Sequence, residues 1–292
     1  MNKVDLIKCA INDELPYRKI LNVYEPFGLE IEAGLYTPSD KIYICNEYLE
    51  KKGYVRGVDR TVGGNFPLEI RTPVLFDEVD TWNDLFSMSK RMKECQIDFS
   101  NSAFQVNIDV DYDNVLCYYL VLFFRTFEHI IFKFSTSGCD RLRLLGYSAS
   151  LQNFFFLFND RNLNNELFFW LSENHRYAIS FKFRKDTPVG APPNIVEFRI
   201  PNGCDDAWLW QNYVNTFYYL TTAIPKIDLN YIDYSLCYGE IKEKNYLNLH
   251  LEDALVFADI LFKEDIDKIY FLKQYIGKDI DKANEYVRKI RL

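Results

Sequence analysis

Gly28-Leu-Glu-Ile-Glu-Ala-Gly34 alternates apolar and acidic residues with a period of two. Successive side chains of a strand point to opposite faces, so Glu30 and Glu32 share one face while Leu29, Ile31 and Ala33 share the other. Three further stretches repeat the pattern. In Leu68-Glu-Ile-Arg-Thr72, Glu69 and Arg71 oppose Leu68 and Ile70. In Phe104-Gln-Val-Asn-Ile-Asp-Val110, Gln105, Asn107 and Asp109 oppose Phe104, Val106, Ile108 and Val110. In Val196-Glu-Phe-Arg-Ile200, Glu197 and Arg199 oppose Val196, Phe198 and Ile200. A fifth strand is expected over Tyr177 to Phe183, whose aromatic and β-branched residues lie between turn signals. If these strands share one sheet, it has an apolar face and a face lined with Glu30, Glu32, Glu69, Glu197, Arg71 and Arg199.

Between the strands, apolar residues recur at helical spacing. Helices are expected over Asp80 to Glu94, Asp113 to Phe132, Asp205 to Thr222 and again after Leu251, with Asp80 and Asp205 as N-caps. Leu151 to Phe158 fits strand and helix equally. The order of elements is therefore a mixture of α and β, with a helical appendage at the C-terminal end. Residues 1–225 would form the main unit and 226–292 a mostly helical extension packed on it.

Composition narrows the function classes. The chain has 292 residues, 48% hydrophobic and 17% aromatic, enough for a large ring-rich core and incompatible with intrinsic disorder. Lys and Arg number 34 against 42 Asp and Glu, a net charge of −8 that argues against a non-specific nucleic-acid binder. No apolar run reaches the roughly 20 residues needed to span a bilayer. Val115 to Phe124 comes nearest and is interrupted by Arg125, so it reads as a buried helix. Seven cysteines without a CxxC pair argue against a disulfide framework and favour a reducing cytoplasm. The three histidines, at 129, 175 and 250, show no metal-ligand spacing. His129 reads as a packing residue, His175 could approach the sheet face, and His250 has no assigned role. Cys139 and Cys204 lack a neighbouring His in sequence to activate them. Gly63-Gly64 lacks the Lys and Ser/Thr of a phosphate loop and reads as a turn before a strand.

A solvated sheet face would by itself explain the alternation. Solvated faces, however, usually mix Thr, Ser and Lys, whereas these four use carboxylates and arginines almost exclusively. Clustered carboxylates repel, and a divalent cation with a preference for oxygen ligands relieves that repulsion. Arginines on the same face suit bidentate recognition of phosphate or carboxylate. Carboxylates, metal and Arg are together the parts of phosphoryl-transfer chemistry.

These segments, in this order, resemble the amidoligase family, relatives of glutamine synthetase and glutamate–cysteine ligase. The pieces that carry the resemblance are Gly28-Leu-Glu-Ile-Glu32, Asp59-Arg-Thr-Val-Gly-Gly-Asn-Phe-Pro-Leu-Glu69 and Ile70-Arg-Thr-Pro-Val-Leu75. Ala103-Phe-Gln-Val-Asn-Ile-Asp109 and Ile195-Val-Glu-Phe-Arg-Ile-Pro-Asn-Gly203 follow. The likeness spans about residues 23 to 210. It implies an α+β fold with flanking helices and a curved antiparallel sheet of the glutamine synthetase catalytic-domain type, binding ATP and two or more Mg²⁺ ions. The implied activity is an ATP-dependent carboxylate–amine ligase that passes through an acyl phosphate. By position, Glu30, Glu32, Glu69, Gln105 and Glu197 would be metal ligands. Arg199, Asn107 and Arg71 would contact the nucleotide, with Arg199 on the transferred phosphate. Asp59 would help bind the amine, and Arg141, Arg143 and Arg176 would grip the substrate carboxylate. The substrates would be small-molecule or peptide carboxylates and amines, with no nucleic-acid or membrane partner.

In one place the chain departs from the family pattern. The family carries His-x-His on the third carboxylate-facing strand, and this chain has Gln105 and Asn107. Amide oxygens can bind Mg²⁺ but are neutral and cannot act as acids. Metal binding would then be weaker, shifted toward Mg²⁺ or lost at one position. Two other readings stay open. One is a nucleotide- or metal-binding regulatory protein on the same scaffold, binding without turnover; the other is a purely structural interaction protein.

Overall fold

The alternating stretches form strands, and all of them join one sheet. A computed structural model describes residues 1–34, 36–57, 68–100, 102–136, 151, 177–184, 186–188, 191–233 and 246–290. The strands are β1 (Phe27–Ala33), β2 (Val55–Gly57), β3 (Leu68–Arg71), β4 (Phe104–Asp109), β5 (Ile179–Lys182) and β6 (Ile195–Phe198). They build a six-stranded open antiparallel sheet in the order β2-β3-β1-β4-β6-β5. Among the described residues there are nine α-helices. These are α1 (Lys3–Asn12), α2 (Ser39–Lys51), α3 (Val79–Glu94), α4 (Asn114–Thr126) and α5 (Glu128–Ser135), followed by α6 (Ala207–Ala223), α7 (Leu251–Leu261), α8 (Asp265–Ile276) and α9 (Ile280–Lys289). The class is α+β.

Register follows from the period of two, because a one-residue slip would turn every apolar side chain to the wrong face. Leu29, Ile31, Ile70, Phe104, Val106, Ile108, Val196 and Phe198 are all buried on the apolar side. Helices α3 and α6 cover that side with rings. Phe27 stacks on Trp82 at 5.4 Å, Phe104 on Trp210 at 5.7 Å and Phe198 on Phe217 at 4.3 Å between centroids.

Several expectations need correction. The stretch from Asp113 to Phe132 is two helices, not one, bent by 74° at a break after Thr126. The Thr126 hydroxyl donates to the Leu122 carbonyl and accepts from the Asp233 N–H, a back-bonding pattern that bends helices. Asp80 sits in the first turn of α3, with Glu78 at the cap position. Asp206, one residue beyond the expected Asp205, caps α6 by accepting from the Trp208 N–H. Helices α1 and α2 and the short edge strand β2 were not anticipated. Among the described residues no single helix is long and apolar enough to cross a membrane.

Candidate functional site

Partners directly opposite each other in an antiparallel ladder share a face, so register decides which polar side chains meet. Glu30 lies opposite Arg71 and Gln105, Glu32 opposite Glu69, and Asn107 opposite Glu197. Ser180 of β5 lies opposite Glu197, which puts Lys182, two residues on, over the same face. The sequence-derived residues Glu30, Glu32, Glu69, Gln105, Asn107, Glu197, Arg71 and Arg199 therefore stand together on one side of the sheet. That face is not a solvated one. Glu197 is 0%, Glu32 1%, Gln105 2% and Glu69 6% exposed.

Buried carboxylates need compensation, and here much of it comes from within the chain. The Arg71 guanidinium donates to both Glu69 oxygens at 2.9 Å and lies 3.7 Å from Glu30. Arg199 donates to Glu197 and to the Gln105 amide oxygen, each at 2.9 Å. The Gln105 amide in turn donates to Glu32 at 2.8 Å. Asn107 donates to Glu30 at 3.1 Å. Lys182 completes the pattern, with its ammonium 3.0 Å from Glu30 Oε1 and 2.5 Å from Glu197 Oε1. Four carboxylates thus meet three cations in a continuous network across five strands. At the rim, Arg184 pairs with Asp109.

Ionisation follows the same geometry. Burial alone would raise the Glu30 pKa, but Lys182, Arg71 and the Asn107 amide outweigh it, and the group lies below its ordinary value. Burial alone would lower the Lys182 pKa, yet the charges of Glu197 and Glu30 reverse that and raise it. Glu30 and Lys182 are therefore each held in the charged form by the other.

Whether a metal suits these residues turns on the donor set. Every acidic group here offers hard oxygen atoms, the chemistry Mg²⁺ prefers. Glu30 and Glu197 already converge on a common cation, the Lys182 ammonium, which acts as a stand-in ion. Among the described residues no three His, Cys, Asp or Glu side chains converge as a metal-holding group. The residues thus fit one oxygen-ligated cation between Glu30 and Glu197 once the ammonium has moved aside.

Lys182 is the site residue that sequence reading missed. Ser180 and Lys182 alternate with Ile179 and Phe181, the same signal that marked the other four strands, but nothing in sequence tied β5 to β1. Asp59, Arg141, Arg143, Arg176, His175, Cys139 and Gly63-Gly64 lie outside the described residues. Cys204 is a poor nucleophile, its thiol pushed up to about 12 by burial. His129 is buried and packs as expected, its ring bonded to Asp253 at 2.8 Å. The His250 ring meets the His129 ring edge-on at 5.1 Å. Compared with models of known protein families and with curated proteins, the chain matches none.

Proposed function

We propose that the charged sheet face binds a phosphate-bearing nucleotide and that the protein is an ATP-dependent carboxylate–amine ligase of the glutamine synthetase type. The observation that carries this reading is the convergence of Glu30, Glu32, Glu69 and Glu197 with Arg71 and Arg199 on one largely buried face. Such a face, with arginines held in fixed orientation by carboxylates, suits an anion with several phosphates. Arg199 is oriented by Glu197 and Gln105, and its guanidinium would stabilise charge on a transferring phosphoryl group. Arg71, the most exposed cation of the face, would meet the outer part of the nucleotide. Glu30 and Glu197 would hold Mg²⁺ only with the Lys182 ammonium moved aside, and the metal would there supply neutralisation of phosphate charge. The carboxylate of the acid substrate would attack the terminal phosphorus of ATP and expel ADP. An amine would then displace inorganic phosphate from the acyl phosphate, giving up a proton, to leave an amide. Asp59, Arg141, Arg143 and Arg176 enter this scheme, by the resemblance alone, as contacts to the amine and the carboxylate. A cytoplasmic setting, where ATP is abundant, accords with it.

A second reading has its own support. Lys182 bridges the two carboxylates best placed for a cation, and Gln105 and Asn107 bring neutral amides where the resembling family has imidazoles. Both features favour nucleotide binding without turnover. Calorimetric titration of Mg·ATP, repeated in EDTA and with Arg71→Ala, tests the shared premise. Saturable binding that needs the metal and weakens at least about tenfold in Arg71→Ala would support a nucleotide site. Phosphate release on adding acid and amine mixtures would then separate the ligase from the binding protein. Absence of binding at millimolar nucleotide would sink both.

A further inference from the structure

The contact between Lys182 and Glu30 reaches across the sheet. Lys182 belongs to β5 and Glu30 to β1, with β6 and β4 between them. Three interstrand spacings amount to roughly 14 Å along a flat sheet. Two long side chains ordered over that span give up rotamer freedom. A strong attraction must hold them, and the two carboxylates supply it.

We infer that Lys182 is the resident cation of the Glu30–Glu197 site, a tethered ammonium holding the position that a divalent ion would take between these two carboxylates. Replacing it by a neutral side chain should therefore create a divalent-cation site. This inference shares the cation position with the ligase reading and none of its chemistry.

The surroundings argue for the assignment. Glu197 is fully buried, with Arg199 on Oε2 and Lys182 on Oε1. Glu30 directs Oε1 to Lys182 and to the Asn107 amide, while its Oε2 faces Arg71. Each carboxylate thus turns one oxygen toward the shared ammonium and keeps the other on an arginine. Two ionised carboxylates so close cannot stay charged without a cation between them. If the ammonium is removed, a hard divalent ion or a proton must take its place. Oxygen donors from Glu30, Glu197 and the adjacent Asn107 amide suit the metal. The wild-type chain carries its counter-charge covalently, so an incoming phosphate or carboxylate meets a fixed ammonium whether or not divalent ions are present.

The experiment uses Mn²⁺ alone, without nucleotide, followed by the electron paramagnetic resonance signal of the free aqua ion. Wild type, Lys182→Met and Lys182→Met/Glu30→Gln are compared. The expected result is one additional Mn²⁺ per chain in Lys182→Met, bound at least about tenfold more tightly than any wild-type ion and lost in the double variant. Equal stoichiometry and affinity in wild type and Lys182→Met would overturn the assignment, as would an extra ion that survives Glu30→Gln. Should Lys182→Met fail to fold in sodium buffer, refolding in Mn²⁺ decides: recovery only with Mn²⁺ supports the inference, and recovery in neither overturns it. Mg·ATP titration of the wild type is independent. Nucleotide binding together with no Mn²⁺ gain would leave the ligase reading standing and remove this one, and the converse result would do the opposite.

Discussion

Glu197 receives the guanidinium of Arg199, just past the end of its strand, and an ammonium from the neighbouring strand while admitting no solvent. Replacing this buried charge takes a carboxylate from Arg199, which keeps the Gln105 amide oxygen, and from Lys182, which keeps Glu30, a loss of about 3 kcal/mol. Glu197→Gln is therefore expected to lower the unfolding free energy at pH 7 by that amount, read as a lower urea midpoint with the denaturant slope unchanged. A loss below about 1 kcal/mol would mean that the network is loosely held and easily solvated. Gly203, at the end of the matched Ile195 to Gly203 segment, has a different constraint. A Cβ there would lie 3.0 Å from the Ser102 backbone carbonyl carbon and closer still to its side chain. The glycine is needed for close approach where Gly203 N–H bonds to the Ser102 carbonyl, not for any role in the charged face.

At the scale of elements, helix α9 is pinned to α5 by one ion cluster. Lys133 of α5 donates to Asp279 at 2.6 Å and to the Leu247 carbonyl, and Lys282 holds the other Asp279 oxygen at 2.8 Å. Burial pushes the Asp279 pKa up, but the two lysines outweigh it and the group lies below its ordinary value. The folded state then binds fewer protons than the unfolded one, so this contribution is present above the unfolded pKa, about 4, and lost as pH falls through the folded value. Urea denaturation at pH 7 and pH 3 should show Asp279→Asn destabilised at neutrality and less acid-sensitive than wild type. Equal acid sensitivity would remove Asp279 from the account. The same elements mark the limit of what sequence discloses. Period-two alternation in β1, β3, β4 and β6 is a local signal, and it yielded both the strands and the common face of their glutamates. The break between α4 and α5 is not local. Glu128, first residue of α5, is buried and accepts from the Leu151 N–H and the Tyr246 hydroxyl, each at 2.6 Å and far along the chain. The Lys182 bridge was hidden for the same reason, because strand order is a property of the assembled sheet.

Taken as a whole molecule, the C-terminal helices bear on whether residues 226–292 are an appendage. Helix α8 lies among α1, α5, α6 and α7. Phe271 stacks on Phe134 of α5 at 5.1 Å and contacts Phe257 of α7 at 5.4 Å. Asp267 pairs with Arg18 at 2.5 Å and accepts from Asn215 of α6 at 3.0 Å, while Asn212 donates to the Tyr270 carbonyl. Lys273 reaches the last carbonyls around α1. Buried Phe104 of the sheet, Trp210 and Phe217 of α6 and Phe271 and Leu272 of α8 belong to one continuous apolar cluster. A helix that fills the centre of such a cluster is part of the core, and its removal exposes the rings that cover the back of the charged sheet. A chain ending after residue 225 is accordingly expected to lose cooperative thermal unfolding, with helical circular dichroism retained only in part. Phe271→Ala in the full chain should cost about 3–5 kcal/mol by the same reasoning. A truncated chain that melted cooperatively, with Phe271→Ala nearly neutral, would make the C-terminal helices a separable layer and the sheet with α6 a self-sufficient unit.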